Sequence, residues 1–270
     1  MKKISGKPPN KTQLAKKLGI ARSTLYYKSK MKVKDEAIKI KMAEVMDSNP
    51  GYGHKRVAIA LKYNHKRIGR IMRLYRIRPR VIRGKYLVKK GDRKQPVAIY
   101  QNELINVIPQ EAHVVWSGDF TYIKYHGSFI YLATVMDIYT REIVGAAISR
   151  YHDRHLVKAA ALDAKQKRGQ WPRYFHSDQG SEYRSEEHAD YLTREGVVVS
   201  MSKKAHPWEN GYQESFFSQF KLELGNVNRF ESEPHLLEAI WHQLYYYNQH
   251  RIHTKLKMSP VQFYQLVGKG

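Results

Sequence analysis

The chain has 270 residues, of which 48 are Lys or Arg, 24 are Asp or Glu and none is Cys. The lack of cysteine excludes disulfides, thiolate nucleophiles and cysteine-ligated zinc. An apolar fraction of 42% excludes wholesale disorder. No apolar run approaches the ~18 to 20 residues that a membrane span needs, and polar residues follow the opening Met1 to Lys3 where a signal peptide would be apolar. We therefore expect a soluble, cytoplasmic protein without a membrane partner.

The excess positive charge is confined to the first third of the chain. Residues 1–100 hold 29 basic and 5 acidic residues, whereas residues 101–270 hold 19 of each. Segregated basic charge predicts a module that binds a polyanion such as nucleic acid. A solvated basic surface is the alternative, and an acidic membrane is disfavoured because the basic helices lack a broad apolar face.

The first elements in chain order, over 11–27, follow the pattern of a helix-turn-helix. Gly19 ends a first helix, and a second short helix is expected to begin near Ala21. The second helix of this motif presents its first residues to the major groove. The predicted DNA contacts here are Arg22, Ser23 and Thr24.

Three further helices are predicted over 35–47, 54–62 and 65–75. Asn64 is a candidate cap for the last of them, whose apolar residues recur at i, i+3, i+4 and i+7. Its opposite face is entirely basic, which is typical of a helix that contacts phosphates. The predicted contacts are Lys66, Arg67, Arg70 and Arg73. A basic stretch with Pro and Gly then predicts a linker.

After Pro109 the pattern changes to that of strands. Short turns separate three runs over 114–125, 128–138 and 142–149, which predicts an antiparallel meander. Helices then alternate with strands, which predicts an α/β mixed sheet flanked by helices. The remaining expected elements are a helix over 154–167, a strand over 172–177, a helix over 186–195, a strand over 197–200, and helices over 209–224 and 235–248.

Three acidic residues stand out as candidate metal ligands. Asp119 lies within an apolar strand, where an isolated charge is costly. Asp178 ends the fourth strand, a position at which ligand sites are common. Glu214 lies on a helix, with Lys221 two turns further on the same face. Three carboxylates from two strands and a helix suit a pair of Mg²⁺ ions that promotes phosphoryl transfer, with a lysine to hold a phosphate. Capping or salt-bridge roles are the alternative for each acid.

The spacing of these residues resembles a known family. Thirty-five residues separate Asp178 from Glu214, and together with Asp119 and Lys221 this resembles the Asp, Asp, 35-spaced Glu signature of bacterial insertion-sequence transposases that share the retroviral integrase core. The resemblance extends from about residue 35 to residue 263. Further matching segments are 49–57, 116–121, 176–183, 214–217, 246–253 and 259–260.

The resemblance implies a ribonuclease H-like fold on which Asp119, Asp178 and Glu214 form the catalytic, metal-binding triad. The implied cofactor is a pair of Mg²⁺ ions, with Mn²⁺ as a substitute. Asn210 and Lys221 would contact the insertion-element ends beside the triad. The upstream helix-turn-helix region of the family adds Lys55 and Arg56 as expected DNA contacts.

The resemblance also implies an organisation and a set of partners. The expected regions are a helix-turn-helix segment at 1–30, a second helical DNA-binding region at 31–78, a basic linker at 79–108 and the catalytic core with C-terminal helices at 109–270. The expected partners are terminal-repeat and target DNA, further copies of the chain on paired ends, and an upstream-frame protein, since the family is of the two-reading-frame type. The expected location is the bacterial cytoplasm, at the nucleoid.

The leading hypothesis is a DNA transposase that cleaves insertion-element ends and joins the 3′-OH to target DNA. A nuclease of the same fold that only hydrolyses and a non-catalytic DNA-binding regulator are the alternatives.

Two residues near the candidate site are ambiguous. Asp137 is expected to be a turn or salt-bridge residue with Arg141, and His176 either orients the site or is a hydrogen-bonded residue at a strand end.

Overall fold

The computed structural model describes residues 10–26, 31–80, 100–104, 107–202 and 211–268. The chain divides into two compact units, residues 1–45 and residues 46–270. This division falls within a helix and not at the expected border at residue 30. The four expected regions stay predictions, and most of the expected linker lies outside the described residues.

The N-terminal unit is helical. Helix α1 spans Lys11–Lys17 and begins at Asn10, whose side chain accepts a hydrogen bond from the Thr12 amide. Gly19 follows with a φ of +63°, which explains why a glycine ends this helix. The next element is a five-residue 3₁₀ helix at Arg22–Tyr26, so the second helix of the expected motif is tighter and shorter than an α-helix. Helix α2 spans Met31–Ser48 and begins four residues earlier than expected.

The second unit opens with two helices at the expected places. Helix α3 spans His54–Leu61 and ends at Lys62 in the left-handed conformation. Helix α4 spans His65–Leu74, and the side chain of Asn64 caps it as expected. The apolar residues that the 3.6-residue period places inside are buried, namely Ile68, Ile71 and Met72.

A polar network joins this helix pair to the C-terminal part of the same unit. The Tyr52 hydroxyl accepts a hydrogen bond of 2.7 Å from the Ile252 amide. Nε of Arg56 donates to the Ile252 carbonyl at 2.9 Å. The Tyr246 hydroxyl donates to Oδ1 of Asn49 at 2.7 Å. Residues 49–56 are therefore fixed against a segment almost 200 positions away in the sequence.

Five strands in the described part of the chain form one mixed sheet. They are β1 (Val115–Tyr125), β2 (Ser128–Asp137), β3 (Ile143–Ser149), β4 (Tyr174–Ser177) and β5 (Val198–Met201). Their order is β3-β2-β1-β4-β5. The first three strands are antiparallel, and β4 runs parallel to both β1 and β5. The expected meander and the mixed sheet are both confirmed.

Helices cover both faces of this sheet, because alternate residues of each strand point to opposite sides. In β2, Leu132 and Met136 face one core, whereas Ala133 and Val135 face the other. The first core is completed by α7 (Gly211–Leu224) and α8 (Glu233–Gln249), and the second by α5 (Arg154–Arg168) and α6 (Tyr191–Arg194).

Two features of the helices differ from the expectation. The helix expected over 186–195 begins as a π-helical turn at Glu186–Asp190 before α6. A further helix, α9, was not among the expected elements; it spans Pro260–Val267 and begins with a capping box formed by Ser259 and Gln262. None of the helices that the structure describes has the length and apolar character needed to cross a lipid bilayer.

Candidate active site

Asp119 lies within β1, at a point where this strand no longer pairs with β4. It stands opposite Thr134 of β2, and its Oδ1 accepts a hydrogen bond of 2.8 Å from the Phe120 amide. On the other side, β1 pairs with β4 only from Val115 to Ser117. Asp119 therefore lies two residues beyond Ser117, the last residue of β1 that pairs with β4. This position is near the carboxyl end of β4, and ligands commonly bind at the carboxyl ends of strands in such sheets.

Asp178 follows directly after β4. Ser117 pairs with His176, so Asp119 and Asp178 each lie two positions beyond the same pair of residues on adjacent parallel strands. Oδ1 of Asp178 accepts a hydrogen bond of 2.9 Å from the Gly180 amide, which begins the turn after β4. The sheet thus brings two acids that are 59 positions apart to the same edge.

The electrostatics show that negative charge is concentrated here. Burial, with smaller contributions from the charges of Asp178 and Glu214, raises the pKa of Asp119 to about 7. The hydrogen bond from the Phe120 amide and the charge of Lys221 oppose this shift. Burial also raises the pKa of Asp178. One pKa unit corresponds to ~1.4 kcal/mol. The folded protein therefore holds a cluster of acids whose ionisation is unfavourable until a cation compensates it.

Glu214 and Lys221 approach the pair from α7. Glu214 is exposed in the first turn of this helix. Nζ of Lys221 lies 4.6 Å from the ring centroid of Tyr122, and Asp119 raises the pKa of Lys221 while burial lowers it. Asn210 lies outside the described residues. No three His, Asp or Glu side chains in the described ranges already stand close enough to share a metal ion.

Gln213, which sequence reasoning missed, connects α7 to the strand that carries Asp119. This residue is fully buried. Its Nε2 donates to the carbonyl of Ser117 at 2.5 Å and to that of Thr134 at 3.3 Å. Its Oε1 accepts from the Thr134 hydroxyl at 3.0 Å. Since Thr134 stands opposite Asp119, this amide sets the distance between the Asp119 strand and the turn that carries Glu214.

Replacing Gln213 by Leu is expected to lower the free energy of unfolding by about 2 kcal/mol, because Thr134 loses its buried partner. Urea unfolding measures this change. The double variant Gln213→Leu with Thr134→Val is expected to recover part of the loss, because both polar partners are then removed. A double variant that loses the sum of both single changes would show that the two side chains are not coupled.

A second missed residue is Tyr183, which lies under the two aspartates. It is buried, and burial together with the charges of Asp119 and Asp178 raises its pKa well above the ordinary value. A Cβ on Gly118 would come within 2.8 Å of Phe175 and 3.1 Å of Tyr183. A glycine next to Asp119 is therefore required by close packing.

The structure separates the predicted DNA contacts into two groups. Exposed side chains are those of Arg22, Ser23, Thr24, Lys55, Lys66 and Arg73, whereas Arg56, Arg67 and Arg70 are half-buried. Arg56 already donates to Ile252, and the guanidinium of Arg67 lies 5.8 Å from the ring centroid of Tyr63. The basic face of α4 is therefore partly packed. That these residues contact DNA stays a prediction.

Both ambiguous residues near the site have structural partners. Asp137 is buried and is a turn residue, because its Oδ1 accepts hydrogen bonds from the amides of Tyr139 and Thr140. Its Oδ2 accepts one from the His113 amide at 2.7 Å. His176 is buried and bonded to Ser200 of β5 at 3.0 Å through Nδ1. This hydrogen bond supports the interpretation of His176 as a hydrogen-bonded residue at a strand end.

Comparison with known proteins agrees with this architecture. The family model described as Integrase core domain matches residues 109–207, and a second model of the same description matches residues 195–260. A transposase for the insertion sequence element IS904 of Lactococcus lactis is 33% identical over 246 residues, which cover 87% of this chain and 96% of that protein. A putative transposase, InsK for IS150 of Escherichia coli, is 28% identical over 93% of this chain and 92% of its own length.

A solved structure shows the same fold. The intasome of simian T-cell lymphotropic virus, solved in complex with a PP2A regulatory subunit, contains a chain that matches with a TM-score of 0.51 and 17% identity. The match covers 83% of this chain and 74% of that chain. The five-stranded sheet with helices on both faces is therefore a ribonuclease H-like integrase core. The chain belongs to the family of insertion-sequence transposases that carry this core.

Proposed function

We propose that the chain cleaves DNA at the ends of an insertion element and joins the resulting 3′-OH to target DNA. The observation that carries this proposal is the shared sheet edge at which Asp119 and Asp178 meet, with Glu214 close enough to affect the pKa of Asp119. Hard carboxylate oxygens on adjacent strands are the ligand type that Mg²⁺ prefers. Membership of the transposase family supports the DNA substrate.

The donor set fits divalent cations. Asp119, Asp178 and Glu214 would together hold two Mg²⁺ ions, with Mn²⁺ as a substitute. When bound, such ions activate the attacking oxygen and neutralise the charge that develops on the leaving oxygen. Burial and the neighbouring acids raise the pKa of Asp119 to about 7. The side chain of Glu214 is exposed and can move by several ångströms between rotamers.

The proposed activity consists of two reactions, strand cleavage and strand joining, for which residues of the chain position the DNA. In the first, water attacks a phosphodiester at the insertion-element end, the P–O3′ bond breaks, and the 3′-oxygen leaves as a hydroxyl. In the second, that 3′-OH attacks a target phosphodiester, a new P–O3′ bond forms and the target's own 3′-OH leaves. Lys221, which faces Asp119 across the site, is proposed to hold a phosphate near the reacting one. Gln213 keeps the Glu214 turn at a fixed distance from β1.

Incubating the full chain with a duplex that carries the insertion-element end and a target duplex tests this function. Nicked ends and joined products are expected with Mg²⁺ or Mn²⁺, and neither product is expected with EDTA. Nicking without any joined product would favour the same-fold nuclease. DNA binding without either product in Mg²⁺ would favour the non-catalytic regulator.

The expected partners are part of the same proposal. The chain is proposed to act as an oligomer on paired insertion-element ends in the bacterial cytoplasm, at the nucleoid. That the chain needs a partner protein from an upstream reading frame stays a prediction. Strand joining by the purified chain alone would show that such a partner is not required.

A further inference from the structure

A cavity of about 260 Å³ lies beside α7 within the second unit and is rich in positive charge. Three arginines and a histidine line it, together with a serine and a threonine. These six residues are Arg56, Arg141, Ser215, Arg251, His253 and Thr254. None of the three arginines belongs to the carboxylate centre.

Donors in this cavity are buried without acceptors. Arg141 is 6% exposed and Arg251 is 3% exposed. Among the described residues, Nη1 of Arg141, Nη2 of Arg251 and Nδ1 of His253 are buried and have no hydrogen-bond partner. An unsatisfied buried donor on a charged group is costly. Two guanidinium donors, together with an imidazole nitrogen that can donate in one tautomer, indicate an absent acceptor.

The charges near the cavity do not balance. Nε of Arg251 forms an ion pair with Oε1 of Glu223 at 3.0 Å. The guanidinium of Arg141 instead lies 3.6 Å from the ring centroid of Tyr212, a side chain that carries no formal negative charge. Burial and the charges of Arg141, Arg251 and Arg56 lower the pKa of His253 to about 4. The space therefore has a positive potential that an anion would neutralise.

The cavity is distinct from the carboxylate site. Tyr212, Ser215 and Gln219 line it from α7. Since each helical residue turns by about 100°, these three positions lie on the flank of α7 that faces away from Glu214 and Lys221. A group bound in the cavity is therefore not the phosphate that reacts.

We propose that this cavity is a phosphate-binding pocket in which Arg141, Arg251 and His253 donate hydrogen bonds to one phosphoryl group. The planar fork of a guanidinium matches two oxygens of a phosphate. Guanidinium donors from two arginines, together with the hydroxyls of Ser215 and Thr254 that also line the cavity, suit a tetrahedral oxyanion. The pocket has room for a phosphoryl group and its bound water.

The surface next to the pocket favours DNA as the source of that phosphate. Thr254 also lines a second cavity of about 530 Å³, whose basic lining residues are Lys55, Lys62, His65 and Lys257. A nucleic acid strand on this surface could place one backbone phosphate in the pocket while lysines contact its neighbours. The assignment to DNA rests on the proposed function, whereas the phosphate pocket itself does not.

Thermal unfolding of the full chain in EDTA, titrated with inorganic phosphate at constant ionic strength, tests the pocket. Phosphate is expected to raise the melting temperature of the wild type. Arg141→Gln is expected to need at least about tenfold more phosphate for the same rise, because it loses a charge-assisted pair of hydrogen bonds. Arg150→Gln removes an exposed arginine that pairs with Glu233 and is expected to respond like the wild type.

His253→Gln is a second variant in case Arg141→Gln does not fold, and its phosphate response is expected to weaken severalfold. Equal responses of the wild type and the folded pocket variants would overturn the pocket. Both titrations omit divalent metal, so they remain informative even if the chain proves unable to cleave DNA.

The source of the phosphate is tested by DNA binding in EDTA over a range of salt concentrations. If the pocket holds a backbone phosphate, Arg141→Gln is expected to reduce the slope of log affinity against log salt by about one. An unchanged slope, together with a weakened response to inorganic phosphate, would overturn the assignment to DNA and identify free phosphate as the ligand.

Discussion

Replacing Glu214 by Gln is expected to reduce both end cleavage and strand joining by at least about 1000-fold, because a neutral amide cannot complete the set of three carboxylates. The side chain keeps its size, and Glu214 is exposed, so the fold is expected to be retained. DNA affinity in EDTA is expected to stay within about twofold of the wild type, since no basic residue is changed.

The matched control is Glu238→Gln, which removes an exposed glutamate from α8. Its cleavage and joining rates are expected to equal those of the wild type. The proposed role of Glu214 would be wrong if the Glu214→Gln variant cut and joined DNA at the normal rate.

Replacing Asp119 by Asn is expected to have two opposite effects. Cleavage and joining are expected to fall by at least about 1000-fold, because Asp119 is one of the three acids that would hold the cations. The free energy of unfolding in EDTA at pH 8 is expected to rise by roughly 2 kcal/mol. This rise follows from removing a charge that burial and the neighbouring acids destabilise. The figure is smaller than the full pKa shift implies, because the side chain is partly exposed to solvent.

The stability effect has a defined pH dependence. The folded-state pKa of Asp119 is raised from 3.8 to about 7, so the folded state holds its proton after the unfolded state has lost it. The contribution of Asp119 to stability therefore falls as the pH rises from about 4 to about 7 and then levels off. Urea unfolding in EDTA should show the gain of the Asp119→Asn variant at pH 8 and little gain near pH 4.

Asp47→Asn is the control for this second prediction. Asp47 is exposed and pairs with Arg80 at 2.6 Å, so its replacement is expected to change stability by less than about 0.5 kcal/mol at both pH values. Equal stability of the wild type and the Asp119→Asn variant at pH 8 would show that neither burial nor the neighbouring acids destabilise the charge of Asp119.

The sequence was sufficient to predict the sheet because its strands have strong local patterns. The meander from β1 to β3 consists of three strand-like runs between short turns, and each strand was found within a residue or two of its expected bounds. The pairing of β4 with β1, which brings Asp119 and Asp178 to the same end of adjacent strands, joins strands that are not consecutive in the chain and was not among the sequence expectations. Helix α9 has a local signal too, since Ser259, Pro260 and Gln262 form a helix start.

Contacts between distant segments could not be predicted in this way. Arg56 has the exposed, basic character of a DNA contact in the sequence, yet its Nε bonds a carbonyl 196 positions away. Gln213 carries no sequence signal for its bridge between α7 and β1. The cavity lined by Arg141 and Arg251 depends on the turn after β2 meeting the end of α8, which no local period encodes.

The second helix of the N-terminal motif shows a different limit. The pattern around Ala21 predicts a helix start but not the hydrogen-bond spacing within it. The structure has a 3₁₀ helix at Arg22–Tyr26, in which i and i+3 side chains are eclipsed. Arg22 and Leu25 therefore lie on the same side of this element. In an α-helix, with 3.6 residues per turn, the two side chains would point in different directions.

Crystals of the full chain soaked in Mn²⁺ and measured at the manganese absorption edge test the central claim most directly. Two anomalous peaks about 3.5 to 4 Å apart, bonded to carboxylate oxygens of Asp119, Asp178 and Glu214, are the predicted result. Peaks bound to other residues at saturating Mn²⁺, with these three acids uninvolved, would contradict it.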